Sequence, residues 1–468
     1  MRLLFSANGT RRSAVKLALI AVAAGFLLLL VVAAYLVATF DVNAHKTRLA
    51  NIVKEKTGRE LSLGNQLRLK LWPTIRLEID NATLYERGGK QAFASVEAVK
   101  LSLRPWPLLH KEIIIDQAEI GKVDIQLKRY ANGTTNFDDL LSNDSKPSAV
   151  QFDLAGLTIK KGSLTWVDEV QKRTIAVKEL GLTTGRLKEN IPTIISANGL
   201  LTVDAPQANL QTALAGELTF DLQRKRYQFK QGKVTLRGDA LGVKPLAIGL
   251  EANMDADLQA GRFDLKEIKI NAEGRDGERL LTLQVATDSV HGDGNGQQTT
   301  SRINLEQLSA SLNTLQAGQN LTLNITAPQL NHDGATTNAP NLNVVFGLQQ
   351  GALASNGEVN SSFKFDQQTG LATLANFIAN SHTQHDKSRI DASASGPLTL
   401  NVQSGELDAL QLNGDCKMQH PEGTLAGKWR APLTANITNG AFTLDALQGD
   451  WSGEFVGAKM NGSLRVPV

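Results

Sequence analysis

From Leu61 nearly to its end the chain alternates apolar and polar residues with period two, and at intervals the alternation slips by one residue. In "EIIIDQAEIGKVDIQLKRY" (residues 112–130) apolar positions fall two apart at Ile113 and Ile115, at Ala118 and Ile120, and at Val123, Ile125 and Leu127. At each joint two residues intervene instead of one. Side chains of a strand change face at every residue, so an unrelieved slip throws the next stretch onto the wrong side. A β-bulge at each joint restores it. The same spacing recurs at Ile175, Val177, Leu180 and Leu182, at Phe263, Leu265, Ile268 and Ile270, and at Ile303, Leu305, Leu308 and Ala310. It also fits Phe152, Leu154, Leu157 and Ile159, with a shorter version at Leu407, Leu410 and Leu412. The intervals are irregular, which argues against a fixed-length solenoid. The expected fold is mostly β: an elongated, curved antiparallel sheet forming a groove, with tandem β-sandwiches as the alternative. Turn pairs are read at Asn132-Gly133, Gly238-Asp239 and Asn439-Gly440, and surface loops at 142–151, 291–301 and 331–341.

The start of the chain differs in kind. "KLALIAVAAGFLLLLVVAAYLVATF" leaves residues 17–40 without a charge, and a bilayer core takes about 20 residues of helix. A cleavable signal peptide has a shorter apolar core, about 7–15 residues, so an uncleaved transmembrane anchor is expected. Arg2, Arg11, Arg12 and Lys16 precede the span with no acidic residue among them, which places residues 1–16 in the cytoplasm. Next, "NAHKTRLANIVKEKTGRE" reads as a short helix with Leu49, Ile52 and Val53 on one face, ended at Gly58, with Arg59 starting the strand that follows. That helix is read as a lid on the first strands, with a helix lying on the membrane as the alternative.

The search for chemistry returns little. No G-x-S-x-G, Walker loop or H-E-x-x-H is present, and a single cysteine, Cys416, excludes an intrachain disulfide and a thiolate metal cluster. "GDGNG" (292–296) lacks the strand–helix frame of a dinucleotide site. His382 and His385 sit in a polar stretch with no acidic cluster upstream, and Asp255 and Asp257 lack the remaining ligands of a calcium loop. Asp138 and Asp139 are adjacent, so on an extended chain they point apart; a helix-start role fits one of them better. The net charge of +3 marks no nucleic-acid surface. Neither catalysis, a cofactor nor a metal is expected.

The order "KEKTGREL", "LWP", "LSLRPWPLLHKEIIIDQAEIGKVDIQLKR" and "NGTTNFDDL", directly behind an apolar anchor, resembles the N-terminal region of AsmA-family proteins. The likeness covers residues 17–141 and continues over 150–190 through "LTIKKGSLTWVDE" and "LGLTTG". The resemblance implies a bacterial inner-membrane, single-pass protein projecting into the periplasm and serving outer-membrane biogenesis. It also implies a chorein-like segment over 41–145 and an elongated β-rich periplasmic region over 150–468. Such proteins are similar to bridge-like lipid carriers, so the expected partners are the phospholipid bilayer, bound acyl chains and an outer-membrane or periplasmic protein.

An open groove leaves its aliphatic face without protein packing, and lipid tails are a natural filling, since apolar burial contributes about 25 cal/mol per Å². Aromatics make up only 5% of the chain, which suits a smooth trough rather than specific pockets. Ile113, Ile115, Ile120, Val123, Ile125 and Leu127 are the candidate lipid-facing stripe, with plain protein core as the alternative reading. Trp72 and Trp106 are read as strand-end caps, with an interface near the bilayer, where Trp is enriched, as the alternative. Two functions follow from these readings: a conduit for phospholipid, or a non-enzymatic scaffold for outer-membrane protein assembly with its apolar faces closed in sandwiches.

Overall fold

The computed structural model describes residues 46–64, 67–70, 74–104, 115–141, 153–293, 302–444 and 446–466. The apolar stretch 17–40 lies outside them, as do Trp72, Trp106 and Ile113; among the described residues no helix is long and apolar enough to cross a membrane. The chain divides into two compact units, Met1–Lys146 and Pro147–Val468.

In the first unit, helix α1 (Lys46–Thr57) stops where Gly58 turns left-handed (φ 70°) and bonds back to the Lys54 carbonyl at 2.8 Å. Strands β1 (Leu61–Leu63) and β2 (Leu67–Lys70) pair with the two halves of β3 (Arg76–Tyr85). Antiparallel β4 (Ala92–Leu103) and β5 (Ile115–Arg129) follow, and a one-turn helix α2 (Asp138–Leu141) closes the unit. One face collects the cross-strand triples Leu77, Leu101, Ala118 and Ile79, Val99, Ile120. The other carries the ion pairs Lys100–Glu119 at 3.5 Å and Lys122–Glu97 at 2.8 Å. The first pair is half-buried and the second exposed, and both fix sidedness more than stability.

The two slips in β5 are relieved in different ways. At the first, Ser102 faces Gln117 while Leu103 faces Ile115, so Asp116 is the extra residue of a one-sided bulge. At the second, Glu97 faces Lys122 and Val99 faces Ile120, so Ala98 and Gly121 step out together and the register is kept. Ala98 is left-handed (φ 54°), and a Cβ added at Gly121 would lie 2.8 Å from its methyl carbon. Glycine is needed there by the close approach.

The second unit is an antiparallel meander in which each long strand, from Gly156–Asp168 to Ala458–Arg465, pairs with the strands before and after it. Most strands run 14–15 residues. The slip of the sequence becomes a crease crossing this meander. Glu179, Gln231, Glu267, Gln307 and Asn376, which precede Leu180, Gly232, Ile268, Leu308 and Phe377, where the alternation resumes, are left-handed (φ 51–54°). Ladder registers break at the same level, as between Glu251 and Asn253 or between Asn360 and Ser362. Pro328, Pro340, Pro397 and Pro432 also sit at these breaks, where a strand dispenses with a ladder N–H.

Inward residues at the crease are the most buried of the sheet: Ala339 and Ala431 are 0% exposed, and Ala327 and Ala409 are 1%. The outward Glu267, Gln307 and Asn376 are exposed. Irregularities of this kind bend a strand and raise its twist, so this line is where the sheet curves. A non-glycine residue in the left-handed region costs about 1 kcal/mol. Gln307→Gly should leave stability unchanged or raise it by up to about 1 kcal/mol, whereas Gln307→Val should lower it by about 1–2 kcal/mol in a denaturant titration.

Some local expectations are corrected. Gly238-Asp239 lies inside the strand Arg226–Ala240, and the turn falls at Leu241-Gly242. Residues 331–341 are mostly strand around a tight turn at 333–335, where Asp333 accepts the backbone N–H groups of Ala335 and Thr336. Those bonds pull the Asp333 carboxyl down to about 2. The slip at 152–159 separates two strands, Asp153–Leu154 bonding to Leu187–Lys188 while Gly156–Asp168 joins the meander.

Candidate functional site

Register turns the alternation of single strands into one feature. In the second unit Ile159 lies opposite Leu182, and the cross-strand row continues through Ala197, Leu214, Val234, Leu250, Ile270, Val285 and Ala310. It goes on through Ile325, Val344, Val359, Ala379, Ala394, Gly414, Trp429 and Gly449 to Leu464. Eighteen neighbouring strands thus contribute one residue each, and none is polar. At about 4.8 Å between strands the row follows about 80 Å of sheet. One residue to the side, the row on the opposite face runs Lys233, Glu251, Lys269, Ala286, Ser309, Thr326, Asn343 and Asn360. Water meets that face.

The apolar row is flanked by others of the same kind. Leu236, Ile248, Ala272, Leu283, Leu312 and Leu323 form one. Beyond the crease, Phe229, Met254, Leu265, Val290, Leu305 and Leu330 form another. Among the described elements, the extensive contacts between strands of this unit join ladder neighbours, and the side chains of these rows keep the solvent exposure of a sheet face with no layer over it. A sandwich core would place strands distant in the ladder face to face. Accordingly these side chains are half-buried rather than buried, and Leu283 and Leu321 remain 36% and 41% exposed. An apolar surface of this extent, left open, marks a binding surface.

In the first unit, Ile120 faces Val99, Val123 faces Val96 and Ile125 faces Ala94, all on the apolar face. Val123 is buried at 8%, Ile115 is 36% exposed opposite Leu103, and Leu127 continues the alternation half-buried. Ile113 lies outside the described residues.

The polar candidates resolve into structural roles. Asp138, in the first turn of α2, reaches back to accept the Thr135 backbone N–H at 2.8 Å, the reciprocal arm of a capping box. His382 meets Asp391, while His385 turns to Asp386 at 3.6 Å, so the two imidazoles have separate partners. Asp255 takes both arms of Arg226 at 3.1 and 2.8 Å, and Asp257 caps the turn at Ala260. No group of three or more His, Cys, Asp or Glu able to hold a metal occurs among the described residues.

Arg59 was read only as the residue after a helix stop, and the structure gives it a larger part. It is 0% exposed, donates to Asp139 at 2.8 and 2.6 Å and to the Asn136 carbonyl at 2.7 Å, and lies 4.3 Å from the centre of the Phe93 ring. Asn136 in turn donates to Glu86 at 2.7 Å. This clasp joins the end of α1 to α2 and to β4 beneath them. Nothing local in the sequence connects residues 80 apart.

The Arg59 hydrogen bonds hold the Asp139 carboxyl below the usual carboxylate range. Because the folded value is depressed, the clasp contributes fully above the unfolded value of about 3.9 and fades as pH falls through the folded one. Protection factors for amide exchange in the first unit should therefore fall below about pH 4 in wild type, and Asp139→Asn should flatten that dependence.

A long sheet with one continuous, exposed aliphatic face is a groove-type architecture rather than an ordinary packed domain. The chain belongs to the AsmA family, whose profile matches residues 12–420. The chain has no match among curated proteins and none among solved structures. The antiparallel meander continues past the matched region through Gly423–Asn436 to Ala458–Arg465 without a change of register logic.

Proposed function

We propose that this protein is an inner-membrane-anchored, periplasmic conduit for phospholipid moving between the inner and outer membranes. Residues 17–40 are the anchor, and the tails of the lipids occupy the open apolar face. The single observation carrying this reading is the eighteen-strand apolar row with no layer over it. Lipid tails fill such a surface without demanding a shaped pocket, and at about 25 cal/mol per Å² their burial is strongly favourable. The protein performs no chemistry and needs no cofactor; the energy and direction of transport come from elsewhere, through a partner at the outer membrane. The scaffold reading needs apolar faces closed against each other; the half-buried state of the row's side chains supports the conduit over it.

The test is native mass spectrometry of the full chain purified in mild detergent, with lipid extraction. Several phospholipids per chain are the expected result. A folded chain that carries none, even after incubation with phospholipid, favours the scaffold.

A further inference from the structure

Large rings are obstacles in a trough, yet Phe229, Phe263, Phe346, Trp429 and Trp451 all belong to the apolar face. Four of them stand directly opposite a glycine: Phe263 opposite Gly292, Phe346 opposite Gly357, Trp429 opposite Gly414 and Trp451 opposite Gly462. Phe229 lies against both Gly216 and Gly232. A Cβ added at Gly462 would fall 2.6 Å from the Trp451 ring, and one at Gly292 would fall within the Phe263 ring's own van der Waals shell. Each ring therefore lies over the position a neighbouring side chain would fill, flat along the sheet rather than upright from it. Glycine inside a strand costs stability and has no side chain to pack, so its recurrence at these places needs a reason, and close approach by another group is the usual one.

Building on the proposed conduit, we infer that these glycines are positioning residues for transport: each lays an aromatic side chain down so that the groove floor stays low. A reclined ring covers the backbone with apolar carbon about 3.5–4 Å thick, keeping a floor that tails slide across. With a side chain opposite, the ring rotates about its Cα–Cβ bond and stands into the path of the lipid. The sheet itself is undisturbed, because the displaced ring is on the open side.

Gly292 and Gly462 are the places to test this, since the nearest atoms that a Cβ would meet there all belong to the ring. At Gly357 and Gly414 a backbone carbonyl also intervenes, so substitution there would strain the strand. The experiment measures phospholipid bound per full-length chain, and transfer of a fluorescent phospholipid from vesicles bearing the protein to acceptor vesicles. It compares wild type, Gly292→Val, and Gly292→Val combined with Phe263→Leu, with melting curves for each. A several-fold loss of transfer in Gly292→Val, regained in the double variant, is the expected result. Wild-type transfer in Gly292→Val overturns the inference and leaves the conduit standing. A loss that the double variant does not regain also overturns it, because the cause is then the backbone and not the ring. No lipid on wild type removes the conduit itself, and this inference with it.

Discussion

Replacing Arg59 by methionine should loosen the first unit by about 3–5 kcal/mol, the range for removing one partner of a buried ion pair. The side chain is 0% exposed, and its Asp139 partner only 11%, so water cannot replace the lost guanidinium. The contact over the Phe93 ring is lost as well, worth about 1–2 kcal/mol when desolvated. Asp139→Leu in the Arg59→Met background should recover part of the loss, since two matched apolar groups leave no stranded charge. Native-state amide exchange of β1–β5 in the full chain measures this. A change below about 1 kcal/mol would mean that the clasp is a surface pair in effect.

The second large effect concerns the row. Val285→Asp places a carboxylate in the middle of the apolar face, between Ile270 and Ala310. On an uncovered face the charge stays hydrated, so the stability cost should be that of one half-buried valine, about 1–2 kcal/mol. In a closed core the same change would strand a charge and cost more than about 4 kcal/mol. Lipid loading, by contrast, should fall several-fold, because a tail cannot cross a hydrated carboxylate without losing its contacts on either side. The predicted signature is a protein that melts nearly normally and carries little lipid. Severe unfolding would point to a covered face instead.

How much of this was legible in the sequence depends on the range over which each signal acts. The one-sided strand and its slip are local, and both were readable at Phe263, Leu265, Ile268 and Ile270. The relief of the slip was only half readable: a bulge at Asp116 was expected in kind, but the paired step at Ala98 and Gly121 depends on what the neighbouring strand does. The crease carried a signal that went unread. Pro328, Pro340, Pro397 and Pro432 interrupt strand-patterned stretches, and proline inside a strand belongs at an irregularity. The row could not be read, because alternation says which residues share a face and not which lie opposite. Opposition is set by turns such as that closed by Asp276 and Arg279 around left-handed Gly277, and a one-residue error there shifts a whole strand. The Arg59 clasp was illegible for the same reason.

The most direct test of the groove is site-specific photocrosslinking of the full-length chain in cells that express it. A photoreactive side chain is placed at Ile270 or Val285 on the apolar face, and at their strand neighbours Lys269 or Ala286 on the other. Phospholipid adducts at Ile270 and Val285, and none at Lys269 and Ala286, is the predicted result. Equal labelling of the two faces, or no lipid adduct at either, would contradict the account.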